Sequence, residues 1–155
     1  MRASVASLNI SDGGVPKLPV ARARVTPAGM EGDRQRNLKY HGGPDRALCL
    51  WSLELIEALR AEGHPVSPGS AGENMTVSGV DWGRVVPGAR LRLGDVLVEV
   101  TSYTDPCRTI RASFALCRAG RISQRTHPGW SRVYARVLEE GEVAAGDPVA
   151  VESAP

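Results

Sequence analysis

The chain is written in short strand-length runs, each closed by turn formers, and this spacing limits the folds open to it. Alternating or β-branched stretches occur at 3–10, 19–26, 47–51, 74–80, 90–93, 96–103, 133–138 and 149–151, the period-2 signal of strands with one buried face. Between them lie Asp12-Gly13-Gly14, Pro27-Ala28-Gly29, His41-Gly42-Gly43-Pro44, Pro87-Gly88, Gly94-Asp95 and Gly146-Asp147, residue types that reverse a chain cheaply. With 155 residues there is room for one domain but not for repeated βαβ units, so the expectation is a mainly β barrel or sandwich with a few short helices. A core of that size needs no disulfide or metal staple. Two helices are expected. Ser52 caps one over 53–62, with Ile56 and Leu59 facing inward and Gly63 past its end. The other runs over 109–119, with Ile110, Phe114 and Cys117 as its buried face and Gly120 as its stop.

Net charge is only +2, but its distribution is uneven. Residues 1–105 balance to zero, residues 106–138 carry seven arginines and no acid, and residues 139–155 carry five acids and no base. The acidic tail reads as solvated strand and turn. Aromatic residues make up 5% of the chain, too few for the interleaved stacking surface of a nucleic-acid binder, and no RNP, KH or helix-turn-helix pattern is present. A small phosphate-bearing ligand suits the arginines better, because the guanidinium fork matches phosphate. No run of some 18 apolar residues and no secretory leader is legible, so no membrane partner is expected. Three cysteines without a CxxC pair point to a reduced, cytoplasmic protein and away from a zinc site.

The arginine block begins at Cys107, which follows the 96–103 strand through Thr104-Asp105-Pro106 and precedes the second expected helix. A thiol at a helix N-terminus feels the positive end of the dipole, and Arg108 and Arg111 push the same way, toward the thiolate. Such a sulfur can be a nucleophile, a persulfide carrier or a soft-metal ligand; the alternative is a small buried apolar residue. Cys49 and Cys117 read as core. Gly42 and Gly43 let backbone N–H groups approach a ligand, with His41, Asp45 and Arg46 at the mouth of the following strand; an ordinary glycine turn is equally open. Glu73-Asn74, at another strand entrance, either orients a ligand or closes a turn. Arg34 and Arg36 can add charge to the same mouth. His64 and His127, each before a proline, read as surface loop residues.

Taken together, GMEGDRQRN (29–37), HGGPDRAL (41–48), AGENMTVSGV (71–80), LRLGDVLVEVT (91–101), DPC (105–107) and GWSRVYARVLEEGEVAAGDPVAV (129–151) resemble a stand-alone MOSC domain, the module at the C-terminus of molybdenum cofactor sulfurases, and its short bacterial YiiM-like members in particular. The likeness spans about residues 5–151, leaving 152–155 as a frayed tail of a single domain. The resemblance implies a MOSC-type β-barrel of the pyruvate-kinase-barrel kind, with a cleft for a pterin-based molybdenum cofactor. It places the family's metal-ligating or persulfide-bearing cysteine on Cys107. Its HGG-D stretch falls on His41, Gly42, Gly43 and Asp45, and its GEN element on Glu73 and Asn74. Arg34, Arg46, Arg108 and Arg111 are then the arginines expected to hold the cofactor, and His41 or Asp45 the relay of protons.

Two activities follow from the likeness. One is reduction of N-hydroxylated compounds with electrons from an external reductase, since the chain has no iron–sulfur cysteine cluster of its own. The other is a non-redox sulfur carrier, passing a persulfide from a donor protein to an acceptor. The pyridoxal-phosphate-binding desulfurase half of the sulfurases is not in these 155 residues, so no pyridoxal phosphate is expected and the persulfide must be made elsewhere.

Overall fold

The computed structural model describes residues 2–34 and 43–153. Among the described residues, eleven strands and one α-helix follow in the order β1 (Ser4–Ile10), β2 (Leu18–Val20), β3 (Arg22–Thr26), β4 (Gly29–Met30), β5 (Leu48–Ser52), α1 (Leu53–Ala61), β6 (Met75–Ser78), β7 (Arg90–Leu93), β8 (Val96–Tyr103), β9 (Val133–Glu139), β10 (Gly141–Ala144) and β11 (Val149–Ser153). The mainly β expectation holds. The run at 19–26 is two strands, β2 pairing with β1 and β3 with β10, in different sheets, and the short β4 and β10 are additional.

One sheet has the order β11-β7-β8-β9-β5-β6-β1-β2, and β10-β3-β4 form a second. The first curls until its ends approach. Val5 N–H donates to Asp147 O at 2.9 Å, Gly146 N–H to Val5 O at 2.8 Å and Val149 N–H to Ala3 O at 3.1 Å. A single bridge, Ser4↔Pro148, joins this seam, so the barrel-like wall is closed by a few bonds and not by a full ladder. Val5, Leu8, Val25, Leu48, Leu50, Met75, Leu91, Val98, Val133 and Val143 fill the space inside, one alternate set from nearly every strand. The parallel pairing of β5 with β6 is the exception in the main sheet and requires a crossover, which α1 supplies. Ser52 Oγ accepts from Leu55 N at 3.3 Å at its first turn, as the cap pattern predicts.

β5 is buried on both faces. Leu48 and Leu50 point into the barrel, whereas Trp51 belongs to a second apolar cluster with Ile56, Leu59, Ile110, Phe114 and Ile122. This outer cluster is where the arginine-rich segment 104–132 packs against the sheet. No helix among the described residues is long and apolar enough to cross a membrane.

Two polar or close contacts tie the loops at one end of the wall. Lys17 Nζ and Asp33 Oδ1 pair at 2.6 Å, both side chains under a tenth exposed. Asp33 also accepts from Ser11 N at 2.9 Å and from Asn74 Nδ2 at 2.8 Å, so one carboxylate gathers three segments. Nearby, Gly69 has φ +85°, and a Cβ on it would stand 2.3 Å from the Lys17 carbonyl oxygen. Gly146 has φ +93° but open space around it.

These contacts give two expectations for urea unfolding. Asp33→Ala leaves the Lys17 ammonium buried without its counter-charge and is expected to cost about 3–5 kcal/mol. Gly146→Ala reports the positive φ alone, about 1 kcal/mol, whereas Gly69→Ala adds a backbone collision and is expected to lose about 3 kcal/mol or more. Equal midpoints for the two glycine variants would show that the Gly69–Lys17 approach carries no cost.

Candidate functional site

Leaving β8, the chain is clamped before it reaches Cys107. Thr104 N donates to Arg132 O at 2.9 Å, and Ser131 Oγ to Thr104 O at 3.2 Å. Arg132 is 3% exposed. Its Nη2 donates to Asp105 O at 3.1 Å and its Nη1 to Ala71 O at 2.6 Å, tying the DPC turn to the loop that carries Glu73 and Asn74. Cys107 follows, partly buried, with Sγ 2.7 Å from Thr109 Oγ1.

The helix expected over 109–119 does not form. The segment makes three short 3₁₀ turns, Arg108–Ser113, Ala115–Cys117 and Ala119–Ile122. Phe114 is extended at φ −127°, ψ 137°, and Leu116 and Cys117 have φ 56°. Partners distant in sequence explain the breaks: Ala115 N donates to His64 Nδ1 at 3.0 Å, and Ser113 Oγ to Ser70 O at 3.1 Å. Tertiary bonds outweigh the weak helix preference of so short a run. Ile110 and Phe114 are still buried, but Cys117 is exposed, a correction to its expected place in the core. The expected helix dipole at Cys107 also shrinks to one six-residue 3₁₀ stretch whose N-cap makes no side-chain bond. His64 is not a surface residue either. Its side chain is 11% exposed and meets Phe114 edge-on, with centroids 5.4 Å apart. Cys49 is buried as expected, and that burial pushes its thiol pKa up.

The three turns wrap a cleft of about 690 Å³. Cys107 and Cys117 both line it, with Arg108, Arg111, Arg118 and Arg125 around them and Asp105 as its acid. These four arginines are exposed and form no ion pair among the described residues. The other arginines of the block do different work. Arg121 makes a bidentate pair with Glu62 at 2.9 and 2.8 Å and lies 3.9 Å over the Trp130 ring; the pairing holds the Glu62 carboxyl below its usual range. Arg132 is the buried strut, and Arg136 pairs with Glu99 and, at 3.7 Å, with Asp45. The acids of the tail are partly paired, Glu139 and Glu152 with Arg92 and Glu140 with Arg24.

Among the described residues, the remaining candidates do not line this cleft. His41 and Gly42, with Arg36, lie outside the described residues. Gly43, at φ +80°, leads into the 3₁₀ turn Pro44–Arg46. Asp45 is exposed, and its carbonyl accepts from Thr101 Oγ1. The Arg46 guanidinium lies 5.4 Å over the Tyr134 ring on β9, whose hydroxyl pKa is raised by burial. Arg34 is exposed and pairs with Asp12 at 3.4 Å. Glu73 and Asn74 are fully buried. Asn74 Oδ1 accepts from Cys49 N at 2.9 Å while its Nδ2 donates to Asp33, and Glu73 Oε2 accepts from Thr76 Oγ1 at 2.9 Å. Burial raises the Glu73 carboxyl pKa. Both side chains therefore brace the β5–β6 junction behind the cleft. Of the residues singled out from sequence, the structure brings together Cys107, Arg108 and Arg111. Cys117, Arg118 and Arg125 join them, and Arg132 supports them from below.

Comparison with known proteins agrees with this architecture. Residues 37–150 match the MOSC domain. The chain is 36% identical over 117 residues to YflK of Bacillus subtilis, covering 75% of this chain and 52% of that protein. It is 33% identical over 138 residues to YiiM of Escherichia coli, covering 83% and 58%. It thus spans little more than half the length of these relatives. The crystal structure of Escherichia coli YiiM superposes with a TM-score of 0.73 at 27% identity, over 99% of this chain and 70% of that one. YiiM from Geobacillus stearothermophilus shares the fold, with a TM-score of 0.72 at 24% identity over 97% and 75%. The family match covers most of the chain, and two relatives exceed 30% identity over three quarters of it or more, so the chain belongs to the MOSC domain family.

Proposed function

We propose that the chain holds a pterin-based molybdenum cofactor in the Cys107 cleft and reduces N-hydroxylated compounds there. The observation that carries this reading is one cleft with a thiol beside four arginines that have no acidic partner among the described residues. The donor set fits the group. A cysteine sulfur is a soft ligand suited to a metal already bound by sulfur, and guanidinium forks match a phosphate. Cys107 would be the soft ligand that this cleft offers to a metal already bound by sulfur. Bound there, the cofactor supplies two-electron redox chemistry.

The chain's own residues bind and orient. Arg132 fixes the Asp105 carbonyl and with it the direction in which the Cys107 turn leaves β8. Arg108 and Arg111, three residues apart beside the thiol, would take the phosphate, with Arg118 and Arg125 also on the cleft wall. Asp105 is the carboxylate on the cleft wall that can exchange protons with a leaving hydroxyl. Reduction of an N-hydroxyl group to an amine consumes two electrons and two protons and releases water. The electrons come from an external reductase.

Expression with cofactor biosynthesis intact, followed by molybdenum analysis and an assay of hydroxylaminopurine reduction, tests the reading. Wild-type protein is expected to carry molybdenum and turn over, and Cys107→Ala to lose turnover. Arg111→Ala is expected to weaken cofactor retention about tenfold, the value of one charge-assisted bond at an open site. A wild-type protein with neither metal nor activity would sink the proposal. A sulfur carrier instead predicts one added sulfur on Cys107 by mass spectrometry, without turnover, and the second thiol of the cleft favours keeping that reading in view.

A further inference from the structure

Cys117 is the feature that the cofactor reading leaves unused. Leu116 and Cys117 are the only non-glycine residues with positive φ among the described residues. An L-residue adopts that backbone only where its surroundings impose it, and such strain gathers at working sites. Here Phe114 on one side and Ala119 and Ile122 on the other are buried anchors. The strained pair bridges them and carries the Cys117 thiol onto the wall that Cys107 shares. Two thiols among four arginines suit a ligand that is anionic and also electrophilic at sulfur, that is, an anionic sulfane-sulfur compound such as thiosulfate.

We infer that Cys107 and Cys117 act in sequence on such a compound, Cys107 taking the sulfane sulfur and Cys117 releasing it as sulfide. The Cys107 thiolate attacks the outer sulfur of thiosulfate. The sulfur–sulfur bond of thiosulfate breaks, sulfite leaves with the electron pair, and Cys107 bears a persulfide. The Cys117 thiolate then attacks Cys107 Sγ. The persulfide bond breaks, hydrosulfide leaves with its electron pair, and a Cys107–Cys117 disulfide closes. The two thiols thus provide the two electrons that reduce the sulfane sulfur, and an external dithiol restores them. Ten positions separate the cysteines, in a segment already broken into short turns, so closing the ring costs little chain entropy. The arginines hold the sulfonate end and stabilise the departing sulfite. The inference rests on Cys107 being the reactive sulfur of the cleft, as the proposed function does, but it needs no metal.

The test is incubation of the reduced full-length chain, as purified, with thiosulfate. Wild type is expected to release sulfite and sulfide in equal amounts and to yield a Cys107–Cys117 linked peptide on mapping without reductant. Cys117→Ser, a change at an exposed position, is expected to release sulfite as before, retain the added sulfur on Cys107 and lose sulfide release roughly tenfold or more. Cys107→Ser is expected to release neither. Arg118→Gln is expected to raise the thiosulfate concentration at half-maximal rate without changing the yield. Wild type that carries molybdenum but releases no sulfite overturns this inference and leaves the proposed function standing; sulfite and sulfide release without molybdenum does the reverse. Sulfide from Cys117→Ser at the wild-type rate overturns the role of Cys117.

Discussion

The buried guanidinium of Arg132 is the contact on which the rest of the site depends. A cation taken out of water must be compensated by nearby oxygens, and Arg132 finds them in the carbonyls of Ala71 and Asp105. Those two carbonyls belong to loops that leave different strands, β5–β6 on one side and β8 on the other. The requirement to satisfy one charge therefore sets the spacing between the loop bearing Glu73 and Asn74 and the turn bearing Cys107. Asp33 plays the matching part deeper in the fold, holding Asn74 from behind while its own charge is met by Lys17.

The division of labour among polar residues follows from this. Glu73 and Asn74 do not touch the cleft. They occupy the layer beneath it, where Asn74 saturates the backbone of Cys49 and Glu73 is held close to Thr76. Cys107, Cys117 and the four arginines that have no ion pair among the described residues line the open cleft. A braced inner layer and an open, charged outer layer are what a site needs if its groups are to stay put in the absence of ligand.

Much of the fold was legible because alternation survives translation into strands: β7 and β8 span the stretches that period-2 patterning marks, and the Ser52 cap begins α1 where expected. Alternation carries no information about partners, which is why 19–26 reads as one strand although Ala21 separates two that join different sheets. The spacing of Ile110, Phe114 and Cys117 fits one helical face, yet the bonds that break the helix come from Ser70 and His64, some 40 to 50 residues away. The same bonds turn Cys117 out of the core. The junction of Cys107 with the arginine block was visible as charge, but nothing in seven similar residues distinguishes Arg132, the buried strut, from Arg121, paired with Glu62, or from the four that face the cleft. Only the positions of the acids in space make that separation.

That separation has a consequence beyond binding. Arg24, Arg90, Arg92, Arg121 and Arg136 are each neutralised within a few ångströms, so their fields cancel over short distances. The four at the cleft have no ion pair among the described residues, and the field of such exposed charges reaches into solvent to about the Debye length, roughly 8 Å at physiological ionic strength. A chain with a net charge of only +2 thus gathers four such arginines at one cleft. Association of a small anion with that cleft is expected to slow as salt shortens this reach.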